Sequence, residues 1–415
     1  MAQADSVQYL KDFLSEERNE RLKSVLRLLL TELRGGLARS NVFLSRVKAT
    51  NANSCVCFSE ATLDAEVHRD ELDLKISAPY VVFFVRGYTI LAAFLDEGNP
   101  RIPENKAESQ ALQDLLQFLD NTSGQSPLTE NIEDGKCEGE SEATLAVRMT
   151  HHLLVPLAPH KTFMIDSYPG LELTGCCADE HPMNEHQGDT SFGCRKGWHG
   201  RADILLMDDE IPLTVVETEG NEVDFDMVSV SSDSSVEVKK VKKGDDFTPE
   251  SLSQLLAQAI VNSFVQKGKN PKSHNSMVPG IGLCSKRLIV SLYDCVDDIL
   301  VTTGPIDLQS QIGRFKINLR TVIILWLALN HGLFGNKTPK QYTKYTAEFH
   351  KVVGPVQLEA YMNESEQPLK TRLDEGYSSK YFNDVSEEAG CYLNDCYLND
   401  MIEDVTAKIP FISAK

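Results

Sequence analysis

A mixed α/β fold is predicted for this chain, and three observations predict it. From residue 141 to 302 the hydrophobic period changes repeatedly. A helix-spaced stretch is followed by a short apolar run, two apolar runs around an acidic turn, a long helical stretch, and two more apolar runs. The apolar fraction of 41% over 415 residues suffices for a sizeable core. No apolar segment suits a bilayer, because 80–95 is broken by Arg86 and Gly87 and 322–329 is too short.

Each element follows from local pattern. Residues 5–45 read as helical: Val7, Leu10, Phe13 and Leu14, then Leu22, Val25, Leu26, Leu29 and Leu33 recur at helix spacing before Gly35-Gly36. Residues 55–97 have β character, with Val56 and Phe58, then Leu72, Leu74 and Ile76, then 81–85 and 90–95 as strand material. A short helix over 105–120 carries Leu112, Leu115, Leu116 and Leu119. The polar, acidic stretch 121–142 marks a boundary. A helix then runs from Ser141 to about 155, with Ser141 as N-cap and Glu142 in the first turn. A strand opens at 163–165, and 172–199 reads as an irregular loop. Residues 221–250, serine-rich and then lysine-rich, read as a disordered insertion.

A clear helix over 249–266 places Leu252, Leu255, Leu256, Ala259 and Val261 mostly on one side. Gly280-Ile281-Gly282 reads as a turn before strands at 288–293 and 298–302. Residues 321–333, helix or strand, are apolar enough to be buried. The acidic stretch 362–404, with Cys391-Tyr392-Leu393-Asn394-Asp395 repeated from Cys396, reads as tail. The organisation is therefore 1–135, an N-terminal helical and β region; 136–320, a core with the insertion 221–250; and 321–415, a C-terminal helical extension and acidic tail.

The net charge of −20 argues against broad nucleic-acid binding, which needs a basic surface. Local basic runs remain: Lys239, Lys240, Lys242 and Lys243; Lys267, Lys269 and Lys272; Arg314, Lys316 and Arg320. Ten scattered cysteines, with no charged-then-apolar leader, point to an intracellular, reducing location (cytoplasmic or nuclear) with free thiols. There is no phosphate-binding loop with its Gly-Lys end, no dinucleotide fingerprint, no Gly-x-Ser-x-Gly elbow and no His-Glu-x-x-His. Kinase, dehydrogenase, serine-hydrolase and zincin chemistry therefore have little support.

The most informative segment is Gly200-Arg201-Ala202-Asp203-Ile204, followed after an acidic turn by Leu213 to Glu217-Thr218-Glu219. Two strand-length apolar runs around 207–212 predict a β-hairpin. Glu217 and Glu219 share one strand face. If 208–212 is the loop, Met207 pairs with Leu213 and Asp203 falls opposite Glu217. Two carboxylates roughly 6–7 Å apart repel by about 2–3 kcal/mol at an effective dielectric near 20. Such a cluster needs either solvent or a divalent cation to balance it. The two outcomes are a solvated acidic strand face and a metal site.

With its helix, strand, acidic hairpin, helix and strand, the segment 138–305 resembles the restriction-endonuclease-like PD-(D/E)XK superfamily. Within it the segment is most similar to the RecB-like and lambda-exonuclease-like nucleases. Gly200-x-x-Asp203 matches their first acidic strand, and Glu217-Thr218-Glu219 stands where their acidic-x-Lys motif belongs, with Glu219 replacing the lysine. Gln254 and Gln258 lie on the following helix.

The resemblance implies an α-β-β-β-α-β core and metal-assisted phosphodiester hydrolysis of DNA or RNA. Asp203, Glu217 and Glu142 would bind Mg²⁺ or Mn²⁺, and Glu219 would act as base or ligand. His152, on the helical stripe of Glu142, Leu145 and Met149, is a further candidate, and Gln258 would hold the nucleic-acid backbone. Ordinary helix polarity explains the glutamines equally, and a helix N-terminal charge explains Glu142. Arg201 suits a phosphate or pairs with Asp208 or Glu210. A structural Zn²⁺ on Cys176, Cys177, His181, His186, Cys194 and His199 is weighed against a loop that merely contains these residues. A catalytically silent nuclease-like module serving a protein partner is the alternative function, favoured by the negative charge and by Glu219.

Overall fold

The computed structural model describes residues 2–35, 40–121, 142–166, 185–206, 211–215, 247–272, 276–284, 286–309 and 317–369. The predicted N-terminal helical stretch becomes two helices, α1 (Ala2–Ser15) and α2 (Glu20–Gly35). It ends earlier than the sequence reading has it, because Asn41–Thr50 is strand β1. The reason is periodic: Val42 and Leu44 are buried on one strand face and Ser45 and Val47 on the other, each pair two residues apart. Strands β2 (Val56–Cys57), β3 (Leu63–Val67) and β4 (Ser77–Pro79) follow.

The strands expected within 80–95 are absent. A 3-10 turn at Tyr80–Phe83 leads into helix α3 (Val85–Phe94). A short apolar run fits either period. Here close packing fits the helical choice, since a Cβ on Gly87 would stand 2.5 Å from Leu327 Cδ2. Leu72 and Leu74 lie in the β3–β4 loop, 78% and 61% exposed, rather than in a strand. Helix α4 (Lys106–Asn121) matches its expectation.

Helix α5 (Glu142–Met149) continues through a π-helical turn, Thr150–Leu154, into Val155–Leu157. Then come β5 (Phe163–Asp166), β6 (Glu185–Gly188), β7 (Ser191–Cys194), β8 (Trp198–Arg201), β9 (Ile204–Leu206) and β10 (Ile211–Val215). Where it is described, from residue 185, the expected irregular loop 172–199 holds β6, β7 and the start of β8. The insertion 221–250 falls outside the described residues up to 246. Helix α6 (Pro249–Lys269) starts on its own cap: Ser251 N–H donates to the Thr248 side chain, and Pro249 fits the first turn.

Strands β11 (Met277–Leu283), β12 (Arg287–Asp294), β13 (Ile299–Thr303) and β14 (Ile306–Asp307) precede α7 (Leu319–Leu329), α8 (Phe349–Glu364) and β15 (Ser365–Glu366). Gly280 and Gly282 are not a turn; they sit inside β11. A Cβ at either would come within 2.8 Å of Ala259 or Leu255 on α6, so glycine lets the helix lie close on the strand. Helix α8, read as tail from residue 362, was hidden by Gly354-Pro355, which breaks its helical pattern.

Nine strands run in the order β3-β1-β13-β12-β11-β10-β9-β5-β6, with β4 beside β1 and β14 beside β12. This sheet joins strands from before residue 135 (β1, β3, β4) to strands between 163 and 307. A smaller sheet has the order β15-β7-β8-β2. Helix α6 touches β10, β11 and β12 of the large sheet and β7, β8 and β15 of the small one. That position explains why it is buried on nearly all sides from Leu252 to Val265 and not on the single side its pattern suggests. The opposite face of the large sheet is covered by α1 to α5 and α7, which share one apolar core with Phe163, Ile204, Leu206, Ile281 and Leu283.

Candidate functional site

Four strands set the site. β5 pairs antiparallel with β9, β9 antiparallel with β10, and β10 parallel with β11 after the α6 crossover. Helix α5 packs on β5 and β10. The end of β5, the start of β9 and the end of β10 therefore meet at one edge of the sheet.

The Gly200–Asp203 segment is not one strand. Gly200 and Arg201 end β8 in the small sheet, and Ile204 opens β9 in the large one. Ala202 and Asp203 make the passage between the sheets. The incoming chain makes a matching passage, tied to the first by the Ala202 N–H, which donates to the Thr190 carbonyl at 3.3 Å. Gly200 has φ +145° with the Phe58 ring against it, which accounts for glycine there.

The hairpin register differs from the expected one. Leu206 pairs with Ile211 and Ile204 with Leu213, so the loop is 207–210 and the next position opposite Asp203 is Thr214, not Glu217. Pro212 lies within β10 opposite Leu205, and β10 is also held by β11 through Leu213 with Ile281. A slip by an odd number of residues would turn every side chain to the other face. Glu217 and Glu219 lie outside the described residues, as do Asp208 and Glu210.

Asp203 is buried at 8% exposure, and its real neighbour is a residue the sequence reading missed. Asp166, also 8% exposed, ends β5, and its N–H donates to the Asp203 carbonyl at 3.0 Å. The β5–β9 register sets these aspartates opposite one another. Arg201 reaches Asp166 instead of the acidic hairpin loop, Nη1 to Oδ1 at 3.0 Å. Gln258 is fully buried on α6 and donates from Nε2 to the Arg201 carbonyl at 3.4 Å. It therefore braces the strand passage, while Gln254 on the same helix is half-buried. Only strand pairing joins positions 166 and 203, so no local signal could have found Asp166.

Glu142 opens α5, and its side chain is outside the description. The expected stripe holds through Leu145 and Met149, both buried. The π turn then changes the rotation per residue, so a simple helical wheel does not carry the stripe on to His152. His152 is half-buried, edge-on to His151 with ring centroids 4.7 Å apart. Burial first, then the charges of His151 and Arg148, push its pKa down to about 4, so the ring is neutral at pH 7.

Hard oxygen donors suit Mg²⁺, which commonly takes one or two carboxylates and fills its shell with water and phosphate. Asp203 and Asp166 are two buried carboxylates at facing strand positions. Among the described residues no group of three or more His, Cys, Asp or Glu side chains is placed to hold a metal ion. Of the zinc candidates, Cys176, Cys177 and His181 lie outside the described residues. Cys194 is buried in the core shared with Phe192 and Trp198, where burial pushes its thiol pKa up. A His199 ring nitrogen is 3.0 Å from the Gly197 carbonyl. Among the described residues Cys55, Cys57, Cys194 and Cys295 are free thiols. No helix among the described residues is long and apolar enough to cross a membrane. The chain matches no protein-family model, no curated protein and no solved structure.

Proposed function

We propose that the chain is a restriction-endonuclease-like protein that hydrolyses phosphodiester bonds in nucleic acid with Mg²⁺ or Mn²⁺. The observation that carries the proposal is topological. A helix, an antiparallel β5–β9–β10 meander, the α6 crossover and a parallel β11 occur in that chain order, with Asp203 at the start of the middle strand. With β6, β7 and β8 intervening between β5 and β9, this order supports reading the segment as the α-β-β-β-α-β arrangement of the superfamily. Asp203 would hold the cation together with Glu217 and Glu219, which the resemblance assigns to it, and Asp166 stands beside Asp203 at the same strand ends. The bound cation supplies Lewis-acid neutralisation of developing phosphate charge and acidifies water. Arg201 contributes a guanidinium that suits phosphate oxygens. Gln258 keeps the Arg201–Asp203 backbone in place from α6.

The test is cleavage of duplex DNA and single-stranded RNA with and without Mg²⁺. Asp203→Ala is expected to abolish cutting while leaving the thermal midpoint near that of the parent. Parent protein that never cuts, or a variant that cuts as well as the parent, sinks the proposal.

A second reading, a silent nuclease-like module with a protein partner, is favoured by one observation. Asp166 already has a cationic partner in Arg201, so the site is partly balanced without a metal.

A further inference from the structure

We infer that Asp166 is a positioning residue: it holds the Arg201 guanidinium so that its remaining donors meet the backbone phosphate of a bound nucleic acid. The inference rests on the nucleic-acid reading of this site and assigns Asp166 a role that no sequence motif gives it.

The geometry is specific. Arg201 is the last residue of β8, where the chain leaves the small sheet, and Asp166 is the last residue of β5 in the large one. They are 35 residues apart in sequence and 3.0 Å apart in space. The Asp166 side chain is 11% exposed and that of Arg201 is 54% exposed. The carboxylate is thus the buried, fixed end of the pair and the guanidinium the outward end. Both backbones are pinned: the Asp166 N–H to the Asp203 carbonyl, and the Arg201 carbonyl by Gln258 Nε2. Among the described residues the guanidinium meets one carboxylate through one nitrogen, Nη1. A planar guanidinium held at one corner keeps further N–H donors in a fixed plane. It suits phosphate oxygens, and fixing its direction removes part of the rotamer entropy that binding would otherwise cost. Arg201 precedes Asp203 by two residues, and Asp166 faces Asp203 across the β5–β9 pairing, so the pair stands at the strand ends that carry Asp203.

A surface ion pair with no ligand role makes the opposite prediction for one substitution. If Asp166 only adds negative charge near the phosphate, Asp166→Asn should tighten binding. If it orients Arg201, Asp166→Asn should weaken binding despite removing a repulsive charge. The experiment measures affinity of the full chain for a fluorescein-labelled DNA duplex and a single-stranded RNA across a salt series in EDTA, which keeps the strands uncut. Arg201→Ala is expected to flatten the plot of log affinity against log salt by about 0.9 for the duplex, or about 0.7 for the single strand, as one lost phosphate contact. Asp166→Asn is expected to weaken binding about threefold or more, and in the Arg201→Ala background the same change should weaken nothing or tighten binding. Asp166→Ala serves as a second variant, and thermal midpoints identify any preparation that has unfolded.

Tighter or unchanged binding by folded Asp166→Asn in the parent background overturns the inference. So does an unaltered salt slope in Arg201→Ala, or a parent that binds neither probe at low salt. The catalytic reading is scored separately with Mg²⁺: binding without cleavage, with Asp166→Asn weaker, keeps the positioning role and removes the nuclease.

Discussion

Gly200→Ala tests why the segment before Asp203 begins with glycine. The residue has φ +145°, a conformation that L side chains rarely adopt. Holding alanine there costs about 1–3 kcal/mol. The new methyl would also stand 3.1 Å from Phe58 Cδ2 and 3.4 Å from the Phe58 nitrogen. Phe58 has little room to yield, being 2% exposed with the Phe192 ring centroid 4.8 Å away. Overpacking at such a contact adds about 1 kcal/mol. The expected loss is therefore about 2–4 kcal/mol in total. Gly268, on α6, meets nothing within 4 Å of an added Cβ, so Gly268→Ala is expected to stabilise by about 0.5–1 kcal/mol. Urea unfolding followed by the fluorescence of Trp198 and Trp326 gives both values from midpoints at equal slopes. A Gly200→Ala loss under about 0.5 kcal/mol, the range of an ordinary surface change, would refute the conformational account.

Two further outcomes follow from buried polar groups. Tyr361 is fully buried, and its hydroxyl accepts the Trp198 N–H at 2.9 Å and donates to the Ala52 carbonyl at 2.9 Å. Tyr361→Phe orphans both backbone groups at about 1–3 kcal/mol each, and urea midpoints equal to the parent's would contradict that role. His152 titrates near 4 when folded against an ordinary 6.5, so between those values the unfolded chain binds the extra proton. Its contribution to stability is complete above about pH 6.5 and falls as the pH drops toward 4. His152→Gln should flatten the acid limb of the thermal midpoint, and identical acid limbs would count against the burial of this ring.

The sequence by itself determined the elements whose pattern is local. Helix α4 is legible from its leucine stripe, and α6 from Thr248-Pro249 at its start. The β9–β10 hairpin is legible from apolar runs around an acidic turn, and β12 and β13 from their length and branching. Asp203 stands out on the same ground, since the motif around it is contiguous. Tertiary structure decided what depends on distant partners. β11 is apolar along its whole length and α3 grows from a short, mostly apolar run that fits either period, so packing through Gly87, Gly280 and Gly282 sets their form. The hairpin register depends on β11 as well as on the turn, which is why the loop is 207–210. Asp166 joins Asp203 and Arg201 only because β5 lies beside β9, a pairing made by sheet hydrogen bonds that leave no mark in the chemistry of neighbouring residues.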